Sequence, residues 1–280
     1  MNPLSRRQLL LAGSALVLAG CTGPAIVRPT ASPTGSIRSQ LDDVLTIIAN
    51  GSNKLGVALF DQRSKASYGF NADYASQSAS MAKPMIVLMA QATARQSGAG
   101  LDAQRAAQAT QAITHSDNDS ADALWAYAGG ADAYQSLAES LKLPNTRRDP
   151  GRGDWSWTWT TPADQVLLVG RLMEGSPAIV EADRQFLWDL MGQVEADQTW
   201  GVGTPRSSSV GVHLKNGWVQ FKSSDNLWAV NSMGHVSGDG RDYRLAIMTR
   251  TADFDTGRET CAEIGRQVFS ILGSGPVEPA

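Results

Sequence analysis

Three short stretches of the 280-residue sequence carry side chains whose types and spacing suit nucleophilic chemistry. In the first, Ser80-Met81-Ala82-Lys83, a serine and a lysine stand three apart. On a helix, residues at that spacing share a face, so Lys83 can bring its amine within hydrogen-bond reach of the Ser80 hydroxyl. That hydroxyl becomes a nucleophile once a base takes its proton. A lysine can be the base if burial, a helix N-terminus or a second cation lowers its pKa. Pro84 has no N–H to donate and disfavours helical geometry at Lys83, so the helix must start at about Ser80, with the proline in its first turn.

The second stretch is Ser116-Asp117-Asn118, on a loop before a helix expected to begin near Ser120. Ser116 could relay a proton between the lysine and a leaving nitrogen, and the Asn118 amide could donate to a substrate carbonyl. Serine, aspartate and asparagine are also favoured caps and turn formers. The same tripeptide recurs at Ser224-Asp225-Asn226 between two strand-like segments, where a hairpin turn accounts for it. The third stretch is Lys215-Asn216-Gly217-Trp218 in a strand-like run. Lys215 offers positive charge to a substrate carboxylate, with Asn216 beside it, and Gly217 leaves room for a substrate backbone at the strand edge. The backbone N–H groups of Ser80 and Trp218 could hold an oxyanion. His115, His213 and His235 show no metal-ligand spacing, so neither a metal nor a cofactor is expected. No G-x-S-x-G elbow is present.

These groups need a frame. Ile37, Leu41, Leu45 and Ile48 recur at helical spacing from Ser36 to about Asn50. Two strands follow, at 55–60 and 66–70, separated by a polar turn. Residues 81–142 are rich in Ala, Leu, Met and Gln and are broken by QSGAG, THSDND and Gly129-Gly130, which predicts several short helices. Further helices are expected at 161–174 and 181–195. The runs VHLKNGWV, NLWAVNSMGHVS and YRLAIMTR read as three strands, closed by a helix over 259–272 in which Cys261 fills a core position. This order predicts an α/β (α+β) sandwich: a five-stranded antiparallel sheet flanked by N- and C-terminal helices, with an all-helical lobe inserted. The boundaries are an α/β lobe at 36–78 and 210–272, a helical lobe at 79–209, and a disordered tail at 273–280.

The start of the chain predicts export. Arg6 and Arg7 precede an apolar run too short to span a bilayer comfortably, which reads as a signal over 1–20 with a twin-arginine-like motif. Leu18-Ala19-Gly20-Cys21 resembles a lipobox, which would acylate Cys21. The proline-bearing stretch to residue 35 would then be a spacer holding the protein off the outer face of the cytoplasmic membrane. A net charge of −3 without a basic run gives no reason to expect a nucleic-acid partner. A monomer is expected.

The order of the three motifs resembles that of class A β-lactamases and penicillin-binding proteins, and the likeness runs from about Ser36 to Leu272. It implies a site between the helical and α/β lobes. It also implies a serine hydrolase acylated at Ser80 by a β-lactam or a peptidoglycan-like amide. A D,D-peptidase or esterase of the same fold is the alternative, and a non-catalytic lipoprotein that binds cell-wall fragments is a third reading. There are departures. Thirty-six positions separate Ser80 from Ser116, a short interval that implies a reduced helical lobe, and Asn216 stands where the family carries a hydroxyl. Above all, the stretch RRDPGRGDWSWTWTTPADQ has no glutamate to activate a deacylating water, so slow release of the acyl group is expected. Asp149 and Asp154 are the only carboxylates there before the next helix, with Asp154 the candidate base. Trp155, Trp157 and Trp159 alternate, which would put their rings on one side of an extended segment.

Overall fold

The computed structural model describes residues 35–280 apart from 52–53 and 222–224. The export signal, the lipobox with Cys21 and the spacer to residue 34 lie outside the described residues, as does Ser224. Ser36 caps helix α1 (Ile37–Ala49), its hydroxyl accepting from Ser39 N–H, and the predicted apolar stripe of α1 is buried. Strands β1 (Lys54–Asp61) and β2 (Ala66–Phe70) form the expected hairpin. A short strand β3 (Ser76–Gln77) leads into a 3₁₀ turn over Ala79–Ala82, which runs directly into α2 (Lys83–Gln96). Helices α3 (Ala103–Thr110), α4 (Asn118–Tyr127) and α5 (Gly130–Ser140) complete the predicted helical block. After a long loop come strand β4 (Trp159–Thr160), α6 (Pro162–Glu174) and α7 (Glu181–Gly192). Strands β5 (Val210–Gln220), β6 (Trp228–Gly238) and β7 (Arg241–Thr251) precede the closing helix α8 (Phe254–Ile271).

The main sheet has five antiparallel strands in the order β2-β1-β7-β6-β5. Its side chains alternate between two cores, as the pleat requires. Val57, Leu59, Leu214, Leu245 and Ile247 pack against α1 and α8 on one face, with Cys261 buried among them. Ala58, Met233, Ala246 and Met248 face the other way, towards the helices that follow β3. Of these, α6 lies across β1 and β7, while α2 packs against α4, α5 and α7.

Three features differ from expectation. Helix α8 begins five residues before the predicted start, because the Asp253 carboxylate accepts from Thr256 N–H and caps it there. Strands β3 and β4 pair as a separate two-stranded ribbon, too short to leave a pattern in the sequence. The 273–280 tail, expected to be disordered, is docked. Val277 is buried, its N–H donates to the Asp61 carboxylate, and the Glu278 carboxylate accepts from Ile37 and Arg38 N–H at the start of α1. A carboxylate at that position satisfies orphan helix donors and complements the helix dipole.

Candidate active site

Ser80 lies in the 3₁₀ turn, preceded by Ala79 at φ +48°, a left-handed conformation that costs energy for any residue with a side chain. Pro84 occupies the first turn of α2, as its missing donor demands. Two neighbours hold the turn in place. On one side Ser78 N–H donates to Thr158 O at 2.8 Å, in line with the β3–β4 ribbon, which ties the turn to the loop over 145–160. On the other side β5 passes so close that a Cβ added at Gly217 would sit 2.7 Å from Met81 N and Ser78 O and 2.8 Å from Ser80 N. Gly217 therefore admits the backbone of the Ser80 turn itself, rather than leaving room for a substrate backbone as the sequence suggested.

Lys83 is fully buried, and its amine donates to Ser116 O at 2.5 Å, Asn118 Oδ1 at 2.9 Å and Ser116 Oγ at 3.3 Å. The Ser80 Oγ expected beside it makes no hydrogen bond among the described residues; the lysine reaches the 116–118 loop instead. That loop is shaped by a π-helical turn over Gln111–His115 ending in Ser116 at φ +60°. The middle residue of the tripeptide, Asp117, does the capping, its carboxylate accepting from Ser120 N–H at 2.8 Å. Helix α4 thus starts at Asn118, two residues before the predicted start, and the first and third residues of the motif are left to meet the lysines.

Lys215 is buried as deeply as Lys83, and its amine donates to Ser116 Oγ at 2.8 Å and to Asn216 O at 3.1 Å. The Ser116 hydroxyl oxygen therefore lies within hydrogen-bond reach of both lysine amines. Burial lowers Lys83 from the ordinary lysine value to about 8, opposed by the nearby carboxylates of Asp117 and Asp122. Burial pushes Lys215 further below its ordinary value, and the charge on Lys83 adds to that.

Asn216 and Trp218 stand elsewhere. Alternation along β5 turns their side chains to the face opposite Lys215. The Asn216 amide donates to Gln198 O at 2.7 Å, and the Trp218 ring packs against Phe254 and Trp200 at centroid distances of 5.2 and 6.1 Å. The structure thus brings Ser80, Lys83, Ser116, Asn118, Lys215 and Gly217 together. It does not bring the Asn216 side chain to them, and Trp218 can take part only through its backbone.

The three loop tryptophans do not share a side, because Trp155–Trp157 is a 3₁₀ turn rather than an extended segment. Trp157 meets Phe221 edge-on at 5.5 Å, and Trp159 donates to the Asp149 carboxylate at 2.8 Å. Trp155 is buried, its ring centroid lies 4.8 Å from the Lys83 amine, and its indole N–H donates to Asp122 Oδ1 at 2.6 Å. Asp154 accepts from Ser156 Oγ on the exposed side of the loop. Asp122 is the site residue that sequence reasoning missed, while Trp155 was singled out only as one of three alternating rings. Asp122 follows Asn118 by four positions on α4, a spacing that places both on one helix face and could have revealed it. Among the described residues no group of three or more His, Cys, Asp or Glu side chains is placed to hold a metal ion.

Among curated protein sequences no relative matches. Solved structures with the same fold include a class A β-lactamase from Bacteroides cellulosilyticus, at 19% identity and a TM-score of 0.71, covering 86% of this chain and 100% of that one. A β-lactamase from Xanthomonas campestris pv. campestris gives 18% identity, a TM-score of 0.70 and coverage of 86% and 100%. The extended-spectrum β-lactamase TLA-3 gives 16%, 0.72, and coverage of 84% and 99%. These likenesses concern the fold. The model of the β-lactamase enzyme family matches residues 105–272, more than half of the sequence, and the chain belongs to that family.

Proposed function

We propose that this family hydrolase works through an acyl-enzyme on Ser80, formed from a β-lactam or a peptidoglycan-like amide and released slowly. The observation that carries the reading is the shared hydrogen bonding of Lys83 and Lys215 to Ser116 Oγ, beside a strand packed on the backbone of Ser80. In the proposed step Lys83, neutral and released from the 116–118 loop, takes the Ser80 proton as Oγ attacks the carbonyl carbon. Ser80 and Trp218 N–H groups hold the oxyanion. The carbon–nitrogen bond then breaks, the proton passes through Ser116 to the leaving nitrogen, and the acyl group remains as an ester on Ser80. Lys215 orients a substrate carboxylate, whose negative charge favours the protonated amine in spite of burial. Asn118 donates to the acyl amide.

Slow release follows from what faces Lys83 on the side away from Ser116. The residue that the 145–160 loop brings against the amine is an indole, and its polar N–H is already committed to Asp122. An indole cannot accept a proton from water. The same observation favours a D,D-peptidase over a fast β-lactamase as the second reading, and turnover of a D-Ala-D-Ala peptide against a chromogenic cephalosporin separates the two. The lipobox at Cys21 supports an anchored enzyme of the cell envelope.

The test is intact mass after mixing the purified protein with benzylpenicillin. The mass should rise by one penicillin per chain and stay raised, and Ser80→Ala should show no adduct. Absence of any adduct and of any amide or ester hydrolysis would remove the enzymatic mechanism proposed here.

A further inference from the structure

A cavity of about 410 Å³ lies at the β1–β2 side of the sheet, beneath α6, with walls that include Ala58, Phe60, Tyr68, Ala163 and Leu167. Its polar lining includes Arg244 of β7, which is 7% exposed. The strand order puts this cavity at the edge of the sheet opposite β5, so it is separate from the Ser80 site.

Arg244 is a buried cation with too few acceptors. A guanidinium carries five N–H donors, yet among the described residues the Arg244 guanidinium makes no hydrogen bond, and its Nε is fully enclosed without a partner. Among the described residues its one ionic neighbour within 4 Å is Glu174, at 3.6 Å, half exposed and already accepting from the Gln62 amide at 3.2 Å. The guanidinium lies 4.0 Å from the centroid of the Phe60 ring. Above it α6 carries Gly170, where a Cβ would fall 1.6 Å from Arg244 Nη1. A glycine on that face of α6 is what admits the guanidinium between helix and sheet.

Burying an ion without matched hydrogen bonds costs several kcal/mol unless something compensates. The planar fork of an arginine matches a carboxylate, and the cavity has the size and the apolar lining of small-molecule sites. We propose that this cavity binds a small monocarboxylic acid with an apolar body, its carboxylate on Arg244 and its hydrocarbon against Phe60, Tyr68 and Leu167.

Calorimetry with sodium decanoate tests this on the purified protein. One equivalent should bind per chain, the uncharged decanol should bind at least tenfold more weakly, and Arg244→Gln should weaken decanoate at least tenfold. Leu167 is exposed at 40%, so Leu167→Glu keeps the fold while placing a repelling charge by the cavity, and it should also weaken decanoate. Ser80→Ala should bind decanoate as the unaltered protein does. The proposal is overturned by no saturable binding, by decanoate affinity that stays within twofold in Arg244→Gln and Leu167→Glu, or by loss of binding in Ser80→Ala.

Discussion

Two sides of Lys83 differ in what they offer it. On one side the loop over 116–118 presents the Ser116 carbonyl and hydroxyl and the Asn118 amide oxygen, next to the turn over 78–82 that carries Ser80, both held by strained or tightly packed backbone. The loop over 145–160 presents the face of Trp155. One side of the lysine offers it oxygen partners, and the other covers it with a ring. Under the proposed mechanism, forming and hydrolysing an acyl-enzyme make separate structural demands, and the residues around Lys83 suit chiefly the first.

The comparison can be broken from its better-equipped side. Gly217→Ala sets a methyl against three backbone atoms of the Ser80 turn, none of which can rotate away. A displacement of about 1 Å at a reacting group costs on the order of 100-fold in rate. The acylation rate, followed by the growth of the penicillin adduct, should fall by about that factor, with a stability loss of about 1–3 kcal/mol from overpacking. If acylation is unchanged, the packing of β5 on the turn does not position the nucleophile.

A smaller effect probes the electrostatics between the two segments. Lys83 must be neutral to accept a proton, so acylation should rise with pH through a midpoint near 8 and level off above it. The Asp122 carboxylate raises the Lys83 value, so Asp122→Asn, which keeps an acceptor for the Trp155 indole, should move the midpoint to lower pH. A midpoint that stays fixed would separate Lys83 from the titration.

The smallest effect on catalysis should come from the docked tail. Removing 276–280 exposes the pocket of Val277 and frees the Asp61 and Glu278 contacts, costing roughly 2 kcal/mol of stability for the valine alone. Denaturant unfolding should report that loss, while the acylation rate should not change.

The parts of this molecule legible in the sequence are those with a local period or an ordered motif. The stripe of α1, the five strands and the helical block all follow from residues within a few positions of one another. So do Ser80, Lys83, Ser116, Asn118 and Lys215, whose types and order announced a cluster. What was not legible depends on distant partners. Val277 and Glu278 carry no pattern, because the groups that order them, Asp61 and the start of α1, are more than 200 positions away. The Trp-x-Trp-x-Trp run suggested an extended segment because nothing local announces that Trp155 bonds to Asp122. Asn216 was assigned to substrate by its place in the motif, yet strand alternation and the carbonyl of Gln198 turn it away.

The central claim, acylation on one side of Lys83 without an efficient means of release on the other, is tested most directly by stopped-flow mixing with a chromogenic cephalosporin. The predicted trace is a burst of one product per enzyme, equal to the active-site concentration, followed by a steady phase at least 100-fold slower. A linear trace with no burst and rapid turnover, from a protein that loses all activity in Ser80→Ala, would contradict it.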